Sequence, residues 1–256
     1  MSDVGVAGRE IGRLDMGRVI QEMFAVLGRN FVTFLALSAI LVGLPALLTG
    51  FLQLKFLRTD EGFAWQTIFG SLAAALGALI LQGTVIYATV NDLNGKRASV
   101  GDALAIGLRV FLPLLGIGLL WYLAVLLGVL LLIVPGLMIL VAWSVCIPTY
   151  VAERTTLTGS FGRSAELTRG NRWRIFGLML LYIIALLIVE AVLGVFGAAG
   201  RVASGGAMSF LQALVVTPLI SVANGMIGAS GTAVLYVELR KIRDGVGAES
   251  LASIFD

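Results

Sequence analysis

Residues 131–148 read LLIVPGLMILVAWSVCIP, two apolar runs meeting at a proline and a glycine with no charge among them. Pro135 suits the second and Gly136 the third position of a tight turn. With Phe111 to Val134 running into that turn and Leu137 to Ala152 running out of it, the segment reads as a helical hairpin. Because the second arm is short of the roughly 20 apolar residues that cross about 30 Å of hydrocarbon, a re-entrant pair is the rival reading.

Outward from the hairpin, four more stretches meet the length rule: Phe31 to Leu54, Ile68 to Val90, Ile175 to Ala198 and Phe210 to Val237. The chain is 59% hydrophobic and only 13% charged, too apolar to shield itself from water by folding alone. The expected fold is therefore an all-α integral membrane protein with six transmembrane helices. Residues 1–256 form a single polytopic domain, with a leader at 1–30, the bundle at 31–237 and a tail at 238–256. The leader carries Arg9, Arg13, Arg18 and Arg29 without an apolar core, so no secretory signal is expected and the first span is read as retained. A lone cysteine, Cys146, excludes an intramolecular disulfide.

Orientation follows from the basic residues. Fifteen of the 18 lysines and arginines fall on one side if the loops alternate, in the leader, around Lys96 to Arg109, from Arg154 to Arg174 and in the tail; Lys55, Arg58 and Arg201 fall on the other. An excess of Lys and Arg marks cytoplasmic segments, so both termini are expected in the cytoplasm. A face so basic suits anionic headgroups, and nucleic acid is not needed to explain it.

The same segments carry helical periodicity. Met16, Ile20, Met23, Leu27 and Phe31 mark one face of the leader; Val100, Ala103, Leu104, Gly107 and Leu108 repeat behind a capping Ser99; and Phe161, Ala165 and Thr168 share a side in a weaker third case that stops at Gly170. All three are expected to be amphipathic interfacial helices on the cytoplasmic side. At the start of the fifth span, Arg163, Arg169, Arg172, Trp173 and Arg174 are the lipid-headgroup candidates. Snorkelling cations beside an amphipathic aromatic serve first as a membrane anchor, and headgroup recognition is the sharper alternative. SVGDA at 99–103 and SFGRS at 160–164 form a loose internal echo.

Several blocks together resemble the bacterial membrane domain sometimes fused to glycerophosphoryl diester phosphodiesterases, and its stand-alone six-span relatives. They are LDMGRVIQEMFAVLGRNF at 14–31, ASVGDALAIGLRVFLPLLG at 98–116, the hairpin followed by GSFGRSAELTRGNRWRIFGL at 159–178, and AVLYVELRKIRDG at 233–245. Val237 and Glu238 stand where the family pattern has an aromatic-acidic pair. The resemblance implies a six-helix protein of the bacterial inner membrane and brings no catalytic residues with it.

The sequence contains no histidine, which removes histidine acid/base chemistry and histidine metal sites. Aspartates and glutamates remain, but no spaced catalytic pair is visible: Asp92 and Asp102 lie ten residues apart, and Asp60 and Glu61 belong to a loop. No catalytic residue, metal or cofactor is expected. Polar groups within spans are the remaining candidates, because they usually face a bundle interior or cavity. Gln82 and Asn224 fall near the midplane, Trp121 and Tyr122 at similar depth, and Glu190 about 24 Å beyond Arg174. Interhelical hydrogen bonding is the plainer role for the amides, a substrate or lipid cavity the sharper one. In the sixth span Ser221, Gly225, Gly228 and Thr232 form a small-residue stripe for close helix packing, and Pro45, Pro113 and Pro218 could interrupt their spans. These features favour a non-catalytic accessory protein with a lipid-associated or membrane-homeostasis role. Its expected partners are anionic membrane lipids, with membrane-protein partners or a homo-oligomer also open. A small-solute or ion transporter and a membrane scaffold are the alternatives.

Overall fold

The computed structural model describes residues 12–56, 60–93, 99–203 and 210–245, with side chains described for all of these except 55, 56, 60–64, 66, 67 and 194–203. Among them there is no strand, and six helical spans are long and apolar enough to cross a membrane: Phe31–Leu54, Ile68–Leu93, Val100–Leu131, Ile133–Glu153, Arg172–Leu193 and Gln212–Asp244. The protein is a multi-pass helical membrane protein.

The described residues form ten α-helices. Helix α1 (Met16–Arg29) starts at Asp15, whose Oδ1 accepts from the N–H groups of Gly17 at 2.9 Å and Arg18 at 3.2 Å. It packs along α10 (Thr217–Asp244). Its buried side chains are Val19, Val26 and Leu27, whereas Met16 and Phe31, both assigned to the apolar face by periodicity, are exposed. The face that docks is thus rotated toward Val19 and Val26.

The first and sixth spans each contain one widened π turn, and a proline accounts for both. Between α2 (Phe31–Ser38) and α3 (Leu44–Phe56) the turn covers Ala39–Gly43; before α10 it covers Gln212–Val216. Pro45 and Pro218 each sit two residues past their π turn and have no N–H to give back to it. The Leu41 and Ala213 carbonyls within these turns each face a glycine on a neighbouring segment: a Cβ on Gly77 of α4 (Asp60–Leu93) would collide with Leu41 O, and one on Gly50 of α3 with Ala213 O. Only glycine admits such an approach. Pro113, by contrast, lies inside an unbroken α5 (Val100–Leu131).

That α5 is continuous from Val100 corrects the expectation of a separate interfacial helix there, although Ser99 does cap it, accepting from the Asp102 N–H at 3.1 Å. The hairpin exists, but its reversal falls at Leu132, a single extended residue, and not at Pro135 and Gly136. Those two lie in the first turn of α6 (Ile133–Ala142), where a missing proline N–H costs nothing because first-turn N–H groups are unpaired in any helix. Gly136 instead lets the arms touch: a Cβ there would meet Val129 N at 2.7 Å.

The fourth span breaks at Trp143–Val145, between α6 and α7 (Cys146–Glu153). Helix α8 (Leu157–Leu167), capped by Thr156, supplies what the break needs. Ser164 Oγ donates to Ala142 O at 2.9 Å and accepts from Val145 N at 3.3 Å, while Thr168 Oγ1 reaches the same carbonyl at 3.3 Å. Phe161 packs on Trp143, with ring centroids 4.7 Å apart. The buried face of α8 is therefore Ser160, Phe161, Ser164 and Leu167, turned into the protein. Gly170 ends the segment with a left-handed φ of 89°, as its position beyond the helix suggests. The fifth span, α9 (Arg172–Ala203), stands apart: only 6% of its most apolar window is buried within the protein.

Candidate functional site

The basic residues gather at one end of the bundle, and the geometry sorts them into two groups. Six form ion pairs among the described residues: Arg18, Arg29, Arg163, Arg240, Lys241 and Arg243. Arg163 sits among three carboxylates, with Nε 3.1 Å from Glu153, Nη1 3.1 Å from Glu166, and Nη2 on Asp244. Arg240 lies 3.5 Å from Asp244 and donates to the Tyr236 hydroxyl at 3.1 Å, which in turn donates to Glu153 at 3.0 Å. Burial lowers the basicity of the Arg163 guanidinium, but the hydrogen bonds and charges of Glu153, Glu166 and Asp244 outweigh it and hold the pKa above the ordinary arginine value. Arg18 pairs with the buried Glu238 at 2.6 Å, and Lys241 with the same carboxylate at 2.8 Å. Arg29 bridges Asp92 and Glu22, and its pKa is raised chiefly by the hydrogen bond to Asp92.

The junction of α8 and α9 is different. Arg169 is exposed and Arg172 half-buried; neither forms an ion pair among the described residues, and the Nε of Arg172 has no hydrogen-bond partner. Next to Arg172, Trp173 is 85% exposed, edge-on to Phe176 at 6.1 Å. Arg174 has a structural role, donating to the backbone carbonyl of Leu14 at 2.6 Å. The five headgroup candidates therefore divide: Arg169 and Trp173 are exposed, Arg172 is half-buried with a shielded, unbonded Nε, Arg163 is held by carboxylates and Arg174 by backbone.

The intramembrane candidates are scattered. Gln82 is half-buried on α4 and makes no hydrogen bond to Asn224; Tyr122 on α5 and Glu190 on α9 are exposed on the apolar surface. Asn224 lines a cavity of about 680 Å³ between α9 and α10, with α1 closing one end. Its backbone carbonyl accepts from the Tyr182 hydroxyl at 3.5 Å. The small-residue stripe divides along its length. Gly225 lets α10 meet Leu81 and Val42, with 2.9 and 3.6 Å to a built Cβ, whereas Gly228 and Thr232 line the cavity. Ser221 and Thr232 return their hydroxyls to carbonyls four residues back, at 2.9 and 2.7 Å.

Two features escape sequence reading. The cluster of Glu153, Tyr236, Arg240 and Asp244 joins residues up to 87 positions apart, and only the density of charge near Arg163 hints at it. Ser144 lines the cavity with its hydroxyl shielded and unbonded, because the span breaks beside it. Among the described residues no group of three or more Cys, Asp or Glu is placed to hold a metal ion. No family model matches the chain, and neither a curated protein nor a solved structure matches it.

Proposed function

We propose that the protein is a non-catalytic accessory protein of the bacterial inner membrane that binds anionic lipid headgroups at the α8–α9 junction, with both termini cytoplasmic and α1 lying near the headgroup layer. The observation that carries this reading is the contrast between Arg163, whose charge is consumed by three carboxylates, and Arg169 and Arg172, which precede the exposed Trp173 and form no ion pair among the described residues. Unneutralised cations beside an interfacial aromatic attract anionic lipid at about 1 kcal/mol each, and salt weakens the attraction.

Native mass spectrometry of Arg169→Gln/Arg172→Gln tests it. Two lost contacts, about 2 kcal/mol, correspond to roughly 30-fold weaker retention of phosphatidylglycerol at low salt. Retention equal to the parent's would leave only an anchoring role for the junction. The transporter reading draws less support, because Gln82, Asn224 and Glu190 do not converge on one path.

A further inference from the structure

We propose that the turn of the α5–α6 hairpin does not emerge into water but stays lodged in the far leaflet of the bilayer, with the side chains of residues 130–134 among lipid acyl chains. The inference stands apart from the headgroup reading and concerns the leaflet opposite Arg109 and Arg154.

Composition sets this turn apart. From Leu123 to Ala142 no side chain carries an oxygen or a nitrogen. If the loops alternate, the two other connections on that side hold Lys55, Arg58, Asp60 and Glu61 in one case and Arg201 in the other. Residues 130–134 are 66–79% exposed, five consecutive apolar side chains that water would have to hydrate. They continue the exposed strip that α5 presents at Leu119, Leu123 and Leu127, and on a membrane span such a strip lies against lipid.

Length fixes the depth. Arg109 to Leu131 measures about 33 Å at helical rise, and the returning arm from Ile133 to Arg154 at most about 32 Å. Both arginines are exposed at the base of the hairpin. A hydrocarbon layer of about 30 Å crossed at an average tilt of about 20° therefore ends at the turn and leaves no chain to stand clear of it.

The backbone suits that depth. Leu132 donates its N–H to the Gly128 carbonyl at 3.0 Å, and its own carbonyl accepts from the Gly136 N–H at 3.4 Å. Pro135 has no N–H to leave unpaired. Of the four donors that open a helix, only those of Ile133 and Val134 remain for α6. Unpaired backbone is not tolerated deep in hydrocarbon, so these two donors and the closing carbonyls of α5 place the turn at the boundary of acyl chains and headgroups, where lipid oxygens and shallow water meet them.

The test uses the full-length protein carrying Cys146→Ser and one nitroxide at Leu132→Cys, in nanodiscs of phosphatidylglycerol and phosphatidylcholine. Power-saturation EPR compares collisions with oxygen, which concentrates in hydrocarbon, and with nickel ethylenediamine diacetate, which stays in water. The oxygen-to-nickel ratio at Leu132→Cys should exceed that at the exposed, extramembrane Arg13→Cys at least fivefold and fall below that at the mid-span Leu119→Cys. A smaller excess over Arg13→Cys would put the turn in water and overturn the proposal. Collisions suppressed with both reagents would mean that protein covers the turn, and dipolar broadening between labels would name a second copy as the cover; either overturns it as well. Labels at Leu130→Cys and Ile133→Cys give the same reading should the Leu132→Cys protein fail to assemble.

Discussion

Arg174 donates to the backbone carbonyl of Leu14 at 2.6 Å, and the N–H of the same leucine donates to the side chain of Asn171 at 2.9 Å. Leu14 is fully buried, so its peptide groups depend on these partners at the α8–α9 turn, about 160 residues away in sequence. The start of α1 is thereby fastened to the start of α9, and α1 in turn closes one end of the cavity. A hydrogen bond to a charged donor is worth about 1.5–3 kcal/mol. Arg174→Ala should accordingly raise hydrogen exchange across residues 14–29 by roughly 10- to 100-fold, with protection in α4 and α10 unchanged. Unchanged exchange in α1 would show that its packing on α10 suffices.

The carboxylate cluster around Arg163 makes a second prediction. Removing one partner of a largely buried ion pair costs more than the pair contributes, because the other charges stay behind. Arg163→Met leaves Glu153 and Asp244 facing each other and should lower thermal stability by about 2–4 kcal/mol. Arg163→Met/Glu153→Gln should recover part of that loss, giving a coupling of about 1–3 kcal/mol in a double-mutant cycle. Additive losses would mean the guanidinium is not held by Glu153.

Glycines divide sharply by position. Gly77→Ala would press a methyl against the Leu41 carbonyl, and overpacking against backbone costs about 1–3 kcal/mol. Gly28 in α1 and Gly162 in α8 meet nothing within 4 Å, so alanine there should stabilise by up to about 1 kcal/mol through helix propensity. Melting curves in one detergent compare the three. Tolerance of Gly77→Ala equal to that of Gly28→Ala would contradict the close approach of α4 to the π turn.

What could be read from sequence and what could not follows from the range of the interactions involved. Spans are visible because about 20 contiguous apolar residues are a local property. The reversal at Leu132 is not, since proline followed by glycine suits a helix's first turn as well as a tight turn, and the choice is made by Gly136 meeting Val129. Pro45 and Pro218 announce interruptions, but the π turns they accompany need Gly77 and Gly50 on other helices. The break at Trp143–Val145 has no local signature, because Ser164 and Thr168 stabilise it from α8. At the candidate site the arginines and Trp173 are conspicuous in sequence, while which of them are neutralised depends on carboxylates as far away as Asp244. The cavity belongs to no single segment.

Topology is testable apart from binding. If the loops alternate so that fifteen of the 18 Lys and Arg share one side, reporter fusions after Gly95 and Gly159 should read cytoplasmic and those after Glu61 and Ser204 periplasmic. A periplasmic signal at Gly159 would mean that the broken fourth span does not cross.

Glu190 separates lipid binding from transport. It is exposed on α9, outside the cavity lining. Glu190→Gln and Gln82→Leu/Asn224→Leu should cost no more than about 2 kcal/mol of stability, and proteoliposomes of the parent should carry no proton or small-solute flux above protein-free controls. A flux that Glu190→Gln abolishes would favour a transporter.

The most direct measurement of the central claim is a density map of the protein in native lipid, viewed at the α8–α9 junction. Headgroup density within reach of Arg169 and Arg172 is the expected result. A junction with no headgroup density, or one covered by a protein partner, would contradict it.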